Sequence, residues 1–352
     1  MGCDLGDLTE PKEITFEQLA RRHIAVDAYN TLYQFLSSIR QSDGTPLMDS
    51  KGRQTGHLAG LFYRSLKWLD AGIKPAFVFD GKPPQLKRKT LDERRKRKEE
   101  AQKKMQTALK EGDEEAAKRY AQQTSKLTPE MAEQAKTLLG CLGIPCIQAP
   151  SEGEAEAADL VRRNLAYASA SQDFDSLLFG ASRLVRNLST TGRRKVPRQN
   201  RYIQVEPQMV ELEQVLKSNG LNRYQLIWIA LLSGTDFNKG VYGIGPKKAL
   251  KLVHNAKSFE DAISRLPDSA KNKKTEDGEI GGLESWNEIE EFFLKPPVLG
   301  LSSIPQAEAN EQKAISFLVD EFDFSQERVE RTLSTHFKTQ KESGGQTTLG
   351  GW

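Results

Sequence analysis

Acidic residues in this 352-residue sequence recur in close pairs: Glu152 and Glu154 are two residues apart, as are Asp173 and Asp175. Carboxylate oxygens are the ligands that hard divalent cations such as Mg²⁺ prefer. Carboxylates brought together without a cation would repel one another and raise each other's pKa. A cluster of them therefore makes sense chiefly as a metal site, and a pair of such ions can activate a water and stabilise the leaving oxygen of a phosphodiester. The candidate acids are Asp27, Asp80, Glu152, Glu154, Asp173, Asp175 and Asp236.

Short apolar runs precede several of these acids and predict the strands that would position them. The runs are His23–Asp27, Pro75–Asp80 and Ala166–Asp173. Helical patterns separate them, and this alternation predicts an α/β fold with a mostly parallel central sheet flanked by helices. Ligands of such folds bind at the carboxyl ends of the strands. We therefore expect the acids that end these runs to lie at one edge of the sheet.

Each acid also has an ordinary structural interpretation. An aspartate at a strand end is usually a turn former or a helix cap. Ser151 and Glu154 fit a capping box, with Ser151 as the N-cap and Glu154 as the third helical residue. Glu156 and Asp159, just beyond, are expected on a solvated helix face, where most acids are found. The sequence alone leaves the capping and metal-binding interpretations of Glu154 open.

Composition excludes several other kinds of protein. The three cysteines form no Cys-x-x-Cys pair and the four histidines are scattered, so neither a zinc site nor a disulfide framework is expected. No apolar run approaches the roughly 18 residues of a membrane helix, and no secretory leader is visible. We expect no membrane association and an intracellular protein, cytoplasmic if archaeal and nuclear if eukaryotic.

Basic residues are concentrated in one stretch, although the net charge is only +3. The segment from about residue 81 to residue 128 is rich in Lys, Arg, Glu and Gln, and predicts a helical insertion with little apolar packing. Within it, Lys87 and Arg94 are seven residues apart, two helical turns, so both can face one way. Such runs are usually solvated helices, but beside a carboxylate site cations would neutralise phosphate.

Several motifs, taken in order, resemble the flap endonucleases, which are structure-specific 5′ nucleases of archaea and eukaryotes. The sequence Pro-Ser-Glu-Gly-Glu at residues 150–154 is more similar to the archaeal members than to the eukaryotic ones. The matching blocks cover most of residues 1–255 and are Met1-Gly2, Val26–Ala28, Phe77–Pro84, Ala149–Ala155, Ser171–Leu178, Gly234–Asn238 and Gly243–Ala249.

The resemblance implies an enzyme that cuts branched DNA at a 5′ flap with two Mg²⁺ ions. It implies one ligand set of Asp27, Asp80, Glu152 and Glu154, and a second set of Asp173, Asp175 and Asp236. The basic insertion becomes an arch over the active site, and Lys87 and Arg94 become the cations that hold the scissile phosphate. A related enzyme that cuts RNA or acts as an exonuclease, and a catalytically silent DNA- or clamp-binding adaptor, are the alternatives.

Other residues would handle DNA by the same resemblance. Tyr33 would stack on a base beside the cut, although core packing is the usual place for such a tyrosine. Gly2, freed of Met1, would place its amine near the site. A helix–two-turn–helix element at about residues 222–255 would grip the duplex, often with K⁺. Its turn and helix start hold Gly243, Gly245, Lys247 and Lys248. The basic stretch at residues 193–201 predicts a solvated hairpin tip or a DNA contact.

The chain is predicted to form one nuclease domain, residues 1–337, and to act as a monomer. Residues 338–352 are polar and glycine-rich and predict a flexible tail. Its end resembles the peptide that docks on a sliding clamp, with Gln346, Leu349 and Trp352 as the contacting residues. The second aromatic residue of that motif is absent, and two glycines raise the ordering cost. A tail without function is the alternative.

Overall fold

The computed structural model describes residues 3–41, 45–113, 116, 119–120, 126–190, 192–195, 202–272 and 280–344. Gly2 and the clamp-motif residues Gln346, Leu349 and Trp352 lie outside the described residues. The strands are β1 Lys12–Glu13, β2 His23–Asp27, β3 Lys74–Phe79, β4 Cys146–Gln148, β5 Ala168–Ala170, β6 Arg183–Arg186, β7 Gly192–Lys195, β8 Tyr202–Val205 and β9 Gln208–Glu211.

The helices surround this framework. They are α1 Phe16–Leu19, α2 Ala28–Ser38, α3 Gly56–Asp70, α4 Arg88–Glu111, α5 Pro129–Cys141, α6 Gly153–Arg162, α7 Asp175–Leu178, α8 Leu212–Asn219, α9 Arg223–Ser233, α10 Pro246–Val253, α11 Phe259–Ser264, α12 Asp268–Lys271, α13 Trp286–Leu294, α14 Glu311–Ser316 and α15 Gln326–Gly344. Short 3₁₀ turns cover Gly6–Leu8 and Gln85–Lys87, and a π-helical turn covers Phe317–Glu321. None of the helices in the described ranges is both long enough and apolar enough to cross a bilayer.

Within the described ranges, seven strands form one sheet in the order β1-β9-β6-β5-β2-β3-β4. The central pairs β6/β5, β5/β2, β2/β3 and β3/β4 are parallel. Only β9 and β1, toward one edge, run antiparallel to their neighbours. The prediction of a mostly parallel sheet is confirmed, and the carboxyl ends of its central strands meet at one edge.

Two apolar cores cover the two faces of the sheet, because alternate strand residues point to opposite sides. Ala76 and Val78 of β3 pack in a core shared with α6, α7 and α9. Phe77 and Phe79 of the same strand pack in a second core with α2, α3 and α5. The strands are therefore continuous apolar runs, which is what burial on both faces requires.

Near two of the acids the local structure differs from what the sequence suggested. The run ending at Asp173 forms a strand only at Ala168–Ala170, so Asp173 lies in the loop beyond it. Ser151 does not cap α6; Glu152 is the N-cap, and no capping box forms. The backbone carbonyl of Ser151 instead accepts from the Gly81 N–H at 2.6 Å, which holds the chain extended until Glu152.

The structure describes part of the insertion and the first residues of the predicted tail. Helix α4 is the described helical part of the basic insertion, whereas α9 and α10 form the two helices of the predicted helix–two-turn–helix element. Strands β7 and β8 pair antiparallel, as a hairpin at the basic stretch predicts. Helix α15 runs past residue 338 to Gly344, so residues 338–344 of the predicted tail are helical. The polar residues after 337 are mostly good helix formers, and the first glycine comes only at Gly344.

Helices α2 and α3 approach closely at Gly60, which is buried in the middle of α3. A Cβ at this position would lie 2.3 Å from Cγ of Phe35 and 2.7 Å from Cδ1 of Ile39. No side chain larger than hydrogen fits there without moving α2, and α2 begins directly after Asp27. The contact thus fixes a helix that starts at the acid edge.

Gly60→Ala should destabilise the fold by about 3 kcal/mol, because the added methyl must push α2 and α3 apart. Gly140→Ala is the matched control, since Gly140 is helical, exposed and has open space at its Cβ. It should be neutral or stabilise by up to about 1 kcal/mol. Free energies of unfolding from denaturant titration measure both, and equal effects of the two changes would contradict this packing.

Candidate active site

Seven acids, hereafter the acid cluster, gather at the carboxyl edge of the sheet from separate segments. Asp27 ends β2, Asp80 follows β3, and Glu152 and Glu154 begin α6. The others lie on the loop after β5, at the first position of α7 and on the turn after α9; they are Asp173, Asp175 and Asp236. None of the seven is exposed, and Asp27, Asp175 and Asp236 are more than 90% buried.

Asp80 is positioned by the start of α6. Its Oδ1 accepts from the Gly153 N–H at 2.7 Å. A Cβ at residue 153 would lie 2.8 Å from the same oxygen, so only glycine allows this approach. Gly153 also separates Glu152 and Glu154, and the close pair of glutamates therefore surrounds the residue that anchors Asp80.

Two uncharged residues that the sequence analysis did not single out connect the acids of the two sets. The hydroxyl of Ser171 donates to Oδ2 of Asp27 at 3.3 Å and accepts from the Asp173 N–H at 3.2 Å. Nδ2 of Asn30 donates to Oδ2 of Asp173 at 3.1 Å. Their only sequence signal was proximity: Asn30 follows Asp27 by three residues, and Ser171 precedes Asp173 by two.

The amino-terminal segment contributes through its backbone. The N–H of Cys3 donates to Oδ1 of Asp175 at 2.8 Å, and Cys3 is 98% buried. Burial, with the charges of Asp175 and neighbouring acids, raises the pKa of the Cys3 thiol well above its usual value. The start of the described chain is thus packed directly against the acid cluster.

Lys87 and Arg94 reach into the acid cluster from the insertion. Nζ of Lys87 lies 2.6 Å from Oε2 of Glu152 and 3.3 Å from Oδ2 of Asp236. The Arg94 guanidinium forms an ion pair with the other oxygen of Asp236. The prediction that these two cations face one way is confirmed, because both contact the same carboxylate.

Burial, followed by repulsion between neighbouring carboxylates, dominates the electrostatics of the remaining acids. Burial removes water from Asp27 and Asp175, and neighbouring acids add negative charge. Together these effects raise the pKa of each to about 8. Burial and the charges of Asp175 and Asp27 raise the pKa of Glu154 well above its usual value. Burial would also raise the pKa of Asp236, but Lys87 and Arg94 lower it below its ordinary value. Lys87 and Arg94 therefore favour the charged form of Asp236, whereas the charged forms of Asp27, Glu154 and Asp175 are disfavoured.

The donor set suits a hard divalent cation. Oε1 of Glu154 is buried and has no hydrogen-bond partner, which is costly for a carboxylate unless a cation completes its surroundings. In the part of the chain that the structure describes, no three acidic, histidine or cysteine side chains close around one point. Two of the acids, Glu152 and Asp236, are instead paired with Lys87 and Arg94.

Tyr33 lies on the surface beside the arch helix, not in the core. Its side chain is 36% exposed, and Nζ of Lys98 is 4.9 Å from the ring centroid. Core packing, the ordinary interpretation of this tyrosine, is therefore wrong. An exposed ring with a cation over one face is available to a flat ligand such as a base.

The turn between α9 and α10 places the other predicted DNA-binding residues together. Gly243 has φ +78°, a conformation that favours glycine, and Gly245 is the N-cap of α10. Lys247 and Lys248 open α10 and are exposed; Lys247 pairs with Asp7 at 3.1 Å and Lys248 donates to the Gly243 carbonyl at 2.8 Å. These contacts lie at the turn itself and not at the acid cluster.

Glu156 and Asp159 are not solvated, contrary to expectation. Glu156 is fully buried and accepts from the Leu299 N–H at 2.8 Å. Asp159 is 95% buried and pairs with Arg162 at 2.6 Å. Helix α6 is covered on this side by the segment around Leu299, which sequence periodicity does not reveal. Glu156 thus binds that segment to the helix, and Asp159 forms its ion pair within the helix.

Comparisons with known proteins give the family. Residues 5–101 match the model of the XPG N-terminal domain, and residues 143–236 match that of the XPG I-region. Flap endonuclease 1 of Thermococcus onnurineus is 49% identical over 100% of this chain and 99% of its own. That of Pyrococcus horikoshii is 50% identical over 100% and 98%. The chain belongs to the flap endonuclease 1 family.

Solved structures agree with this assignment. The flap endonuclease-1 from Methanococcus jannaschii superposes with a TM-score of 0.72 at 38% identity, over 97% of this chain and 100% of its own. The catalytic core of Rad2 in complex with DNA substrate shares the fold, with a TM-score of 0.67 at 24% identity over 94% and 97%. The predicted fold and the predicted function, a structure-specific flap nuclease, are thereby confirmed.

Neutralising one acid should stabilise the metal-free fold. The pKa of Asp175 is raised from 3.8 to about 8, so its charge costs stability increasingly as pH rises through that window. Asp175→Asn keeps an acceptor for the Cys3 N–H and removes the charge. In EDTA the variant should exceed the wild type by on the order of 1–2 kcal/mol at pH 8 and by less at pH 5.

Denaturant titration at the two pH values measures this difference. Glu308→Gln is the control, because Glu308 is exposed and its neutralisation should change stability by less than about 0.5 kcal/mol. A metal-free Asp175→Asn protein that is no more stable than the wild type at pH 8 would show that burial and repulsion of the Asp175 charge cost little stability.

Proposed function

We propose that this chain hydrolyses a phosphodiester in a 5′ flap, near the junction of single strand and duplex, with two Mg²⁺ ions. The observation that carries the proposal is the gathering of seven acids from separate segments, with two cations of the insertion paired to two of them. A binding protein without catalysis has no need of buried, mutually repelling carboxylates. Membership of the flap endonuclease 1 family supplies the substrate class.

The acid cluster divides into the two ligand sets proposed from the sequence. Asp27, Asp80, Glu152 and Glu154 would hold one ion, and Asp173, Asp175 and Asp236 the other. Bound Mg²⁺ would supply an activated water and positive charge for the leaving oxygen. The buried, unpartnered Oε1 of Glu154 supports its place as a ligand rather than as a helix cap.

Lys87 and Arg94 would bind the scissile phosphate. In the structure their charges are directed at Glu152 and Asp236, and these ion pairs with two of the proposed ligands support the role. A phosphate that arrives here meets two donors already oriented by the fold. Donors fixed in this way stabilise the charge that grows on the phosphate oxygens in the transition state.

The remaining DNA contacts would recognise shape, not sequence. Tyr33 offers an exposed ring for a base next to the cut, and the exposed backbone and lysines of the α9–α10 turn offer a phosphate site. A K⁺ ion at that turn and a role for the Gly2 amine remain part of the proposal. The products would carry a 5′-phosphate and a 3′-hydroxyl.

A labelled 5′ flap tests the proposal with one matched pair of arch variants. The wild type should cut with Mg²⁺ and not with EDTA. Arg94→Met should lower the single-turnover rate by about 100-fold or more, while flap binding in Ca²⁺ changes little. Arg97→Met, on the same helix but 75% exposed at its side chain, should change the rate by less than about threefold.

Cleavage that persists in EDTA would contradict the metal-dependent mechanism. Equal effects of the two arginine changes would show that only the net charge of the arch matters. Parallel assays on nicked DNA and on RNA of the same shape distinguish the related RNA-directed and exonucleolytic activities. Flap binding without any cleavage would identify a silent adaptor instead.

The carboxyl-terminal residues are proposed to dock on a sliding clamp through Gln346, Leu349 and Trp352. Deletion of residues 346–352 should abolish stimulation of cleavage by the clamp and leave basal cleavage unchanged, because the acid cluster lies elsewhere. Cleavage rates with and without added clamp measure this. Equal stimulation of the full-length and shortened proteins would contradict it.

A further inference from the structure

Asn30, in the first turn of α2, contacts an acid from each of the two sets. Its backbone N–H donates to Oδ1 of Asp27 at 3.0 Å. Its side-chain Nδ2 donates to Oδ2 of Asp173 at 3.1 Å, and its Oδ1 accepts from the Gln172 N–H at 3.3 Å. One residue thus joins the end of β2 to the loop that carries Asp173.

We infer that Asn30 is a positioning residue, which sets the place and orientation of the Asp173 carboxylate relative to Asp27. The inference rests on the proposed function, because it concerns the same metal ligands. Asn30 acts through Asp173 and makes no contact with the reacting atoms itself.

The loop after β5 needs such a support. Asp173 lies three residues beyond the last strand residue, Ala170, in a segment without helix or strand structure. Asn30 and Ser171 each contact both Asp27 and the Asp173 residue, and two carboxylates held this close repel each other when both are charged. Without a donor, the Asp173 carboxylate would turn toward water and away from Asp27.

An amide is suited to this task for two reasons. It presents a donor and an acceptor in one rigid plane, so the same side chain holds both the Asp173 carboxylate and the Gln172 backbone. It is also uncharged, so it orients the carboxylate without neutralising it. A lysine here would satisfy Asp173 but would remove one negative charge that a cation needs.

Local structure does not account for Asn30. Asparagine is a poor helix former. The cap of α2 uses the backbone N–H of Asn30 with the Asp27 side chain, and this bond survives any change of the Asn30 side chain except proline. The Asn30 side chain is therefore available to contact the loop that carries Asp173. Partners that orient metal ligands typically change metal affinity by about 10–100-fold when removed.

Calorimetric titration with Mn²⁺, without DNA, tests the inference. Asn30→Leu keeps the side-chain size and should weaken the affinity of one of two Mn²⁺ sites about tenfold. Asp173→Asn should weaken the same site, and Asn30→Leu should add less than about twofold in that background, since its target is gone. Ser38→Ala, on the same helix, is the control; its hydroxyl donates to the Gln34 carbonyl and the change should leave binding unchanged.

Thermal melting of each variant establishes that it is folded; if Asn30→Leu is not, Asn30→Ser, too short to reach Asp173, replaces it. Binding of Mn²⁺ by the Asn30 variant with wild-type affinity would overturn the inference alone. A full tenfold effect that persists in the Asp173→Asn background would overturn it too, because Asn30 would then act elsewhere. Absence of Mn²⁺ binding by the wild type would contradict the proposed function itself, and this inference with it.

Discussion

The burial of several carboxylates close enough to repel one another is the constraint on which the rest of this structure depends. Seven acids share one edge of the sheet, and the pKa of two of them rises to about 8. Such an arrangement is unfavourable for the metal-free fold and is maintained because the surrounding elements are fixed by two apolar cores. Stability is lost where function requires concentrated charge, a trade-off common at active sites.

The fold holds the acids in place with backbone donors and close approaches. The N–H groups of Cys3, Asn30 and Gly153 each donate to a different member of the acid cluster. Lys87 and Arg94 add positive charge from the arch, but only beside Glu152 and Asp236. Charge compensation is therefore uneven, and the uncompensated carboxylates are those that most favour a divalent cation.

Sequence reasoning predicted the framework well, because the strands at His23–Asp27 and Lys74–Phe79 are apolar runs that end where charge begins. It placed Lys87 and Arg94 on one side by helical spacing. It could not predict that α6 starts one residue late, since the cause is a hydrogen bond between Ser151 and the distant Gly81. The burial of Glu156 and the contact of Asn30 with Asp173 likewise depend on segments 143 residues away in sequence. Local patterns predict elements, whereas such long-range partners decide which acids are solvated, capped or held.

The claim that the acid cluster holds two divalent cations is central to this account. Anomalous diffraction from crystals of the wild-type protein soaked in Mn²⁺ tests it most directly. The account predicts two Mn²⁺ peaks, one among Asp27, Asp80, Glu152 and Glu154 and one among Asp173, Asp175 and Asp236. A cluster that stays without Mn²⁺ at millimolar concentration, with Lys87 still paired to Glu152, would contradict it.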